Sequence, residues 1–305
     1  MQPEVRVALA PWADAAWLAD AVHAGGGTVA ELDDAEALVW TASGDAAGLA
    51  AALAAHPQIR WVQLPFAGIE AVAHLVDHQH VWTCGKGAYA DPVAEMALTL
   101  ALSGMRSVAT YARATSWAPP SGQSLLGAKV AVLGGGGIAT SLLRMLQPFA
   151  CDITVVRNRV APMPGATRVL AADGVAEAIA DTDLVVIALP LTAATTGLIG
   201  ARELALMGPR SWLVNVGRGQ HVVTDDLVDA LTRGTIAGAA LDVVDPEPLP
   251  TGHPLWHLPN CLIAPHSGNI ASIATRLLAD RVRINVARRR AGQEMLGLVD
   301  ADAGY

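Results

Sequence analysis

The chain has 305 residues, 52% of them hydrophobic and 16% charged, with a formal net charge of -8. That length favours two domains over one, and the acidic balance argues against a nucleic-acid binder, which carries a basic excess or stripe. No apolar run approaches the ~18 residues needed to span a bilayer, so the alanine-rich composition reads as a well-buried globular protein with no membrane partner. The N-terminal MQPEVRVALA has an early Glu4 and no basic stretch before a long apolar run, which reads as no secretory signal. Cys84, Cys151 and Cys261 are far apart and odd in number. They fit reduced thiols in a cytoplasm and not a disulfide framework.

Along the first ninety residues short β-rich runs alternate with alanine-rich helical stretches. Val5 to Leu9, Ala37 to Trp40, Arg60 to Leu64 and Val81 to Thr83 read as strands. Ala13 to Ala24 reads as a helix stopped by Gly25-Gly26-Gly27, and Ala46 to His56 as a helix closed by Pro57. Such alternation implies a mainly parallel sheet with helices on its faces. Pro92 to Arg106 is one long helix, with Pro92 suited to its first turn. A Pro/Ser/Gly-rich linker, residues 117–122, leads to a second β/α series. Its strands are Val130 to Leu133, Ile153 to Val156, Leu184 to Leu189, Trp212 to Val216, Gly238 to Asp242 and Cys261 to Ala264. Ala271 to Ala291 is a last long helix, and its basic cluster from Arg281 to Arg290 reads as a solvated face.

A glycine-rich turn, Gly134-Gly135-Gly136-Gly137-Ile138-Ala139, follows the first strand of the second series and opens a helix. In Gly134-x-Gly136-x-x-Ala139 the first glycine permits the tight turn and the second lets a pyrophosphate approach the backbone. The third position, where alanine is accepted, sets helix–strand packing. The anion then sits over the N–H groups at the helix start from Ile138. About 20 residues past the glycines a carboxylate would hold the ribose 2′-hydroxyl of NAD. Here Val155-Val156-Arg157-Asn158-Arg159 stands there. Two arginines and no carboxylate point to a 2′-phosphate, hence to NADP in preference to NAD.

Three further residues come in order downstream: Arg218 in NVGRGQ, Glu247 in LDVVDPEPLP and His266 in APHSGN. A cation, a carboxylate and an imidazole can together bind a 2-oxo acid and move a proton. Six segments, WVQLPFAGIE, ADPVAEMALTLAL, VAVLGGGGIA, LPLTAATTGLIG, LVNVGRGQHVVTDDLVDAL, and AALDVVDPEPLP through HPLWHLPNCLIAPHSG, run from about residue 59 to 270. In order and spacing this set resembles the D-isomer-specific 2-hydroxyacid dehydrogenase family, in its glyoxylate/hydroxypyruvate reductase-like branch.

The resemblance implies that Arg218 binds the substrate carboxylate and carbonyl through its planar guanidinium. It implies that His266 is the acid/base, with Glu247 as the carboxylate that fixes its ring. Glutamine at 247 would instead suggest a formate dehydrogenase. It further implies that Asp242 meets the nicotinamide carboxamide, and that backbone around Phe66, Ala67 and Gly68 holds the substrate carboxylate. Leu189, Pro190, Thr195, Val216, Gly217 and Gly268, together with His266, complete the implied dinucleotide contacts.

The resulting reading is α/β with two doubly wound domains. A Rossmann cofactor domain spans residues 93–271, and a flavodoxin-like, discontinuous substrate domain is formed by 1–92 and 272–305. The helices at Pro92 to Arg106 and Ala271 to Ala291 would cross between them, so hinge closure is expected. The resemblance also implies a homodimer through the cofactor domain. A dinucleotide-sensing corepressor on the same fold is the alternative, and an inactive paralogue a remote one.

Other residues suit blander roles. Lys86 and Tyr89 could face substrate, or be a surface lysine and a packed tyrosine. Trp256 and His257 match a structural pattern. Asp225 and Asp226 look like helix caps. His74 and His78 would form an i, i+4 pair on a helix, but no further ligand is implied and no metal is expected.

Overall fold

The computed structural model describes residues 4–11, 15–117 and 119–301. It divides into two compact units, Met1–Tyr89 with Ile270–Tyr305, and Ala90–Asn269.

The first unit carries β1 (Arg6–Ala10), α1 (Ala16–Ala24), β2 (Thr28–Val29), β3 (Ala37–Trp40), α2 (Ala46–Ala55), β4 (Trp61–Gln63) and β5 (Val81–Thr83). Its strands pair in parallel in the order β2-β1-β3-β4-β5, the flavodoxin-like doubly wound order. Alternate side chains of β1 feed opposite faces, as the two-residue pleat requires. Val7 and Leu9 join Leu18 and Val22 of α1 on one face, with Val282 and Val286 of the C-terminal helix. Ala8 and Ala10 join Leu38, Leu49 and Trp82 on the other. The expected helix start at Ala13 lies outside the described residues, since 12–14 are not described.

The second unit holds α3 (Ala90–Met105), α4 (Val108–Arg113), β6 (Lys129–Leu133), α5 (Gly137–Leu146), β7 (Asp152–Val156) and β8 (Arg168–Leu170). It continues with α6 (Val175–Ile179), β9 (Leu184–Ile187), α7 (Ala201–Met207), β10 (Trp212–Asn215), α8 (Thr224–Arg233), β11 (Gly238–Leu241) and β12 (Cys261–Ile263). The seven strands run in the order β12-β11-β10-β9-β6-β7-β8. Every pairing is parallel. This is the Rossmann order, and strand direction of travel reverses between β6 and β9, the switch point where such sheets bind ligands. Val130 and Val132 pack with α3 and α5 residues such as Ala97, Leu100 and Leu142. Ala131 and Leu133 pack on the opposite face with Leu204 and Leu227.

After the second unit, α9 (Ala271–Arg290) returns the chain to the first. Its basic stretch is not a uniform solvated face. Arg281 is buried, and its guanidinium donates to the carbonyls of Cys84 (2.8 Å) and Lys86 (2.9 Å). Asn285, one helical turn on, is fully buried. Its amide donates to Gln63 Oε1 and to the Leu296 carbonyl, both at 2.9 Å, and its Oδ1 accepts from Leu296 N–H at 2.7 Å. Helix α9 therefore faces the sheet with polar side chains because the chain beyond it, near residue 296, needs backbone partners there. No helix among the described residues is long and apolar enough to cross a membrane.

Asn285→Ala leaves the amide of Leu296 and Gln63 Oε1 without those partners in the core. The expected cost is about 2–4 kcal/mol, read as a lowered midpoint in urea unfolding. A midpoint within error of wild type would show that the network contributes little.

Candidate active site

Parallel strands all end on the same edge of a sheet, so the loops that follow them gather there. The glycine turn follows β6. Gly134 has φ +123°, a backbone region that L side chains rarely adopt, and a Cβ built on it would stand 2.3 Å from the Ala188 carbonyl oxygen. The loop after β6 is thus pressed directly against the loop after β9, at the switch point. Gly136 is exposed and caps α5, and a Cβ there would meet nothing within 4 Å. Among the described residues no side chain caps α5. The first-turn N–H groups of Gly137 and Ile138 therefore remain available to an anion. The helix begins one residue earlier than expected, at Gly137.

The end of β7 supplies the neighbouring cation. The Arg157 side chain lies along the glycine turn, with its Cδ and Nε each 2.7 Å from the position a Gly135 Cβ would take. Asn158 and Arg159 follow it and are exposed. An open helix N-terminus, an approachable Gly136 and an arginine alongside the turn fit a dinucleotide with a phosphate on its ribose.

The loop after β10 carries Arg218. Val216 and Gly217 are buried, and Arg218 extends from them with its guanidinium donating to the Gly217 carbonyl at 2.8 Å. Two buried polar residues, both missed in reading the sequence, hold this loop. Asn215 accepts from Gly217 N–H (3.0 Å) and donates to the Arg218 carbonyl (2.8 Å). His221, with no exposed surface, lies 3.0 Å from Arg218 N through Nδ1 and 3.2 Å from the Pro190 carbonyl through Nε2. The signal for Asn215 was available: a polar residue closing an apolar strand. Leu189 and Pro190 lie just past the end of β9, and Thr195 folds back on them, its hydroxyl donating to the Pro190 carbonyl at 2.8 Å.

The loop after β12 carries His266. Its Nδ1 is 2.6 Å from Glu247 Oε1, and the ring is half-exposed, as is the carboxylate. With Nδ1–H donating to Glu247, Nε2 is the atom left to exchange a proton with a substrate. His266 has φ +51°, a left-handed conformation that costs a non-glycine residue about 1–3 kcal/mol. Asp242 sustains it. The Asp242 carbonyl accepts from His266 N–H at 2.8 Å. Its buried carboxylate accepts from Ser267 N–H (2.8 Å) and Gly268 N–H (3.0 Å). The residue expected to meet the nicotinamide is in this geometry the brace of the histidine loop.

The second unit thus carries Gly134, Gly136, Arg157, Leu189, Arg218, Asp242 and His266 on loops that follow its strands, and Gly137 and Ile138 in the first turn of α5. Phe66, Ala67 and Gly68 belong to the first unit, in the loop after β4. Phe66 and Ala67 are exposed. The loop is propped from below: Gly85 N–H donates to the Phe66 carbonyl at 2.8 Å and the Tyr89 hydroxyl to that of Pro65 at 2.5 Å. Burial pushes the Tyr89 phenol up to about 12, so it stays a donor. Tyr89 is thus the packed tyrosine, while Lys86 is exposed.

The remaining candidates take structural places. Trp256 sits in a short 3-10 turn and donates to the Pro250 carbonyl. Asp226 accepts from Ala201 N–H at 2.9 Å, so it caps α7 and not its own helix. His74 and His78 share no helix, because a single 3-10 turn ends at Leu75.

The family model for "D-isomer specific 2-hydroxyacid dehydrogenase, NAD binding domain" matches residues 96–268. The chain belongs to this family. Among its relatives is an uncharacterized protein of Corynebacterium melassecola, 42% identical over 81% of this chain and 84% of that protein. The human glyoxylate reductase/hydroxypyruvate reductase is 37% identical over 59% of this chain, a match that spans 57% of the human protein. In structure, a D-isomer specific 2-hydroxyacid dehydrogenase from Xanthobacter autotrophicus Py2, in complex with NADPH and MES, is similar with a TM-score of 0.84 at 26% identity, covering 99% of each chain. The family is one of NAD(P)-linked oxidoreductases, and the Rossmann order of the second unit is its dinucleotide-binding fold.

The open space at Gly136 yields a prediction that separates binding from folding. Gly136→Ala meets no protein atom within 4 Å, so its Tm is expected to match wild type, whereas NADPH affinity falls about tenfold or more because the methyl stands where the pyrophosphate approaches. Equal affinity by fluorescence titration would remove the pyrophosphate from this turn.

Proposed function

We propose that the chain is a cytoplasmic, NADP(H)-preferring reductase that converts small 2-oxo acids of the glyoxylate and hydroxypyruvate kind to D-2-hydroxy acids. The observation that carries this reading is the His266–Glu247 pair, 2.6 Å apart on the same set of loops as Arg218 and the glycine turn. A dinucleotide held at Gly136, Gly137, Ile138 and Arg157 would supply a hydride for the carbonyl carbon. Arg218 neutralises the substrate carboxylate and polarises the carbonyl. His266 Nε2 gives the carbonyl oxygen its proton, and Glu247 holds the ring in place while charge leaves it. In oxidation the histidine takes the proton back. Phe66, Ala67 and Gly68 contribute backbone N–H groups to the carboxylate, and Asp242, Thr195 and Gly268 border the nicotinamide end.

Three observations support the finer points. Arg157 beside the turn and the exposed Arg159 two residues on favour a 2′-phosphate, in keeping with a structural relative in complex with NADPH. Characterised relatives such as the human glyoxylate reductase/hydroxypyruvate reductase are reductases, which supports catalysis over a corepressor role. Val108, Tyr111, Trp117 and Leu126 of the second unit are exposed, Trp117 completely, which supports a homodimer through that unit. Cys84, Cys151 and Cys261 are free, in keeping with a reducing compartment.

Steady-state assays with glyoxylate, hydroxypyruvate, pyruvate and phenylpyruvate test the reaction. NADPH is expected to exceed NADH in kcat/KM, and replacing Arg157 and Arg159 together by alanine should raise the KM for NADPH about tenfold or more by removing charge-assisted hydrogen bonds. Equal or better use of NADH would overturn the preference. His266→Ala should bind NADPH normally and lose about 10²–10⁴-fold in kcat; near-normal turnover would remove the histidine from the chemistry. Light scattering should give the mass of a dimer, shifted toward monomer in Trp117→Asp.

A further inference from the structure

His221 is buried without exposed surface between two loops, and its two tautomers satisfy the groups around the ring unequally. If Nδ1 accepts from Arg218 N–H (3.0 Å), Nε2–H is free to donate to the Pro190 carbonyl (3.2 Å). In the opposite tautomer Nδ1–H would donate to the Arg218 carbonyl (3.0 Å). That carbonyl already accepts from Asn215 Nδ2 (2.8 Å) and His221 N–H (3.2 Å). The Nε2 lone pair would then face a carbonyl oxygen, and Arg218 N–H would face another N–H. Desolvated groups make such mismatches costly, so of the two tautomers the geometry favours Nε2–H.

We propose that His221 is a positioning residue for the reaction, locking the backbone of Arg218 in the direction from which its guanidinium meets the 2-oxo acid. This rests on the assignment of Arg218 to the substrate carboxylate. The lock has two arms with separable jobs. The Nδ1 arm sets the start of the Arg218 side chain. The Nε2 arm ties the β10 loop to Pro190 in the β9 loop, so that the two loops bordering the dinucleotide move as one. A fixed Cα with a fixed peptide plane removes the backbone share of the freedom that Arg218 would otherwise lose on binding, while its guanidinium is itself held on the Gly217 carbonyl at 2.8 Å.

The two arms can be tested apart. Asparagine puts its Oδ1 where Nδ1 stands and keeps only the Arg218 arm. Glutamine reaches the Nε2 position and keeps only the Pro190 arm. His221→Leu keeps neither. We expect all three variants to lower Tm. The leucine and glutamine variants should lose about 10²-fold in kcat/KM for the 2-oxo acid with NADPH affinity changed less than about threefold, while the asparagine variant stays within about threefold of wild type. Activity that falls equally in the asparagine and glutamine variants, in step with Tm, would make His221 a core residue only and overturn the proposal. Two-bond ¹H–¹⁵N correlation spectra of the histidines read the lock without turnover. The Nε2–H pattern is expected for His221, and the Nδ1–H tautomer would overturn the proposal even in an active enzyme. A wild-type protein that shows the expected tautomer yet reduces no 2-oxo acid would place the failure in the assigned reaction, and with it the positioning role would fall.

Discussion

In a parallel sheet every strand delivers its following loop to the same edge, and the candidate site of this protein depends on that constraint. Residues far apart in sequence meet because β6, β7, β9, β10, β11 and β12 all end there. One tight contact is at the switch point, where Gly134 leaves no room for a side chain beside the Ala188 carbonyl. A bulkier residue would push the β6 and β9 loops apart and widen the crevice that receives the dinucleotide. The glycine-turn end of the candidate site is therefore set by backbone against backbone, with the Arg157 side chain alongside.

The catalytic end is held differently, by buried polar side chains that satisfy loop backbone. Asn215 and His221 hold the Arg218 loop, and Asp242 holds the His266 loop in its left-handed turn. Each of these is buried, and a buried polar group that is fully bonded fixes one geometry more sharply than apolar packing does. The same device recurs in the first unit, where Asn285 and Arg281 of α9 bind backbone that no strand partners. Reactive side chains stand half-exposed on rigid supports, an arrangement that suits substrate entry and precise aim together.

Much of this was legible in the residues. The β/α alternation, the glycine turn with its missing carboxylate, and Arg218, Glu247 and His266 in order all pointed to one fold and one chemistry. Strand ends were read too long. Leu184 to Leu189 stops at Ile187, since the apolar run continues through Ala188 and Leu189 into the loop, and Gly238 to Asp242 stops at Leu241. Helix α4 falls between the expected long helix ending at Arg106 and the expected linker at 117–122 and carried no readable pattern, since its six residues expose Val108 and Tyr111 and bury none. Edge strand β8 is only three residues long and partly exposed, too short to show an alternating pattern. Arg281 read as one more cation in a basic run, because sequence does not say which side of a helix meets unpaired carbonyls.

The sequence by itself determined the periodicities, the turn that only glycine can make and the chemical types needed for hydride and proton transfer. These are local properties, written in residue identity and spacing. Only the tertiary structure decided that His221 anchors Arg218, that Asp242 braces the His266 loop and that Asp226 caps another helix. Those pairings depend on which strand lies beside which and on the direction each side chain takes at a strand end. Both follow from the packing of the sheet as a whole, in which the order of strands in space differs from their order in the chain.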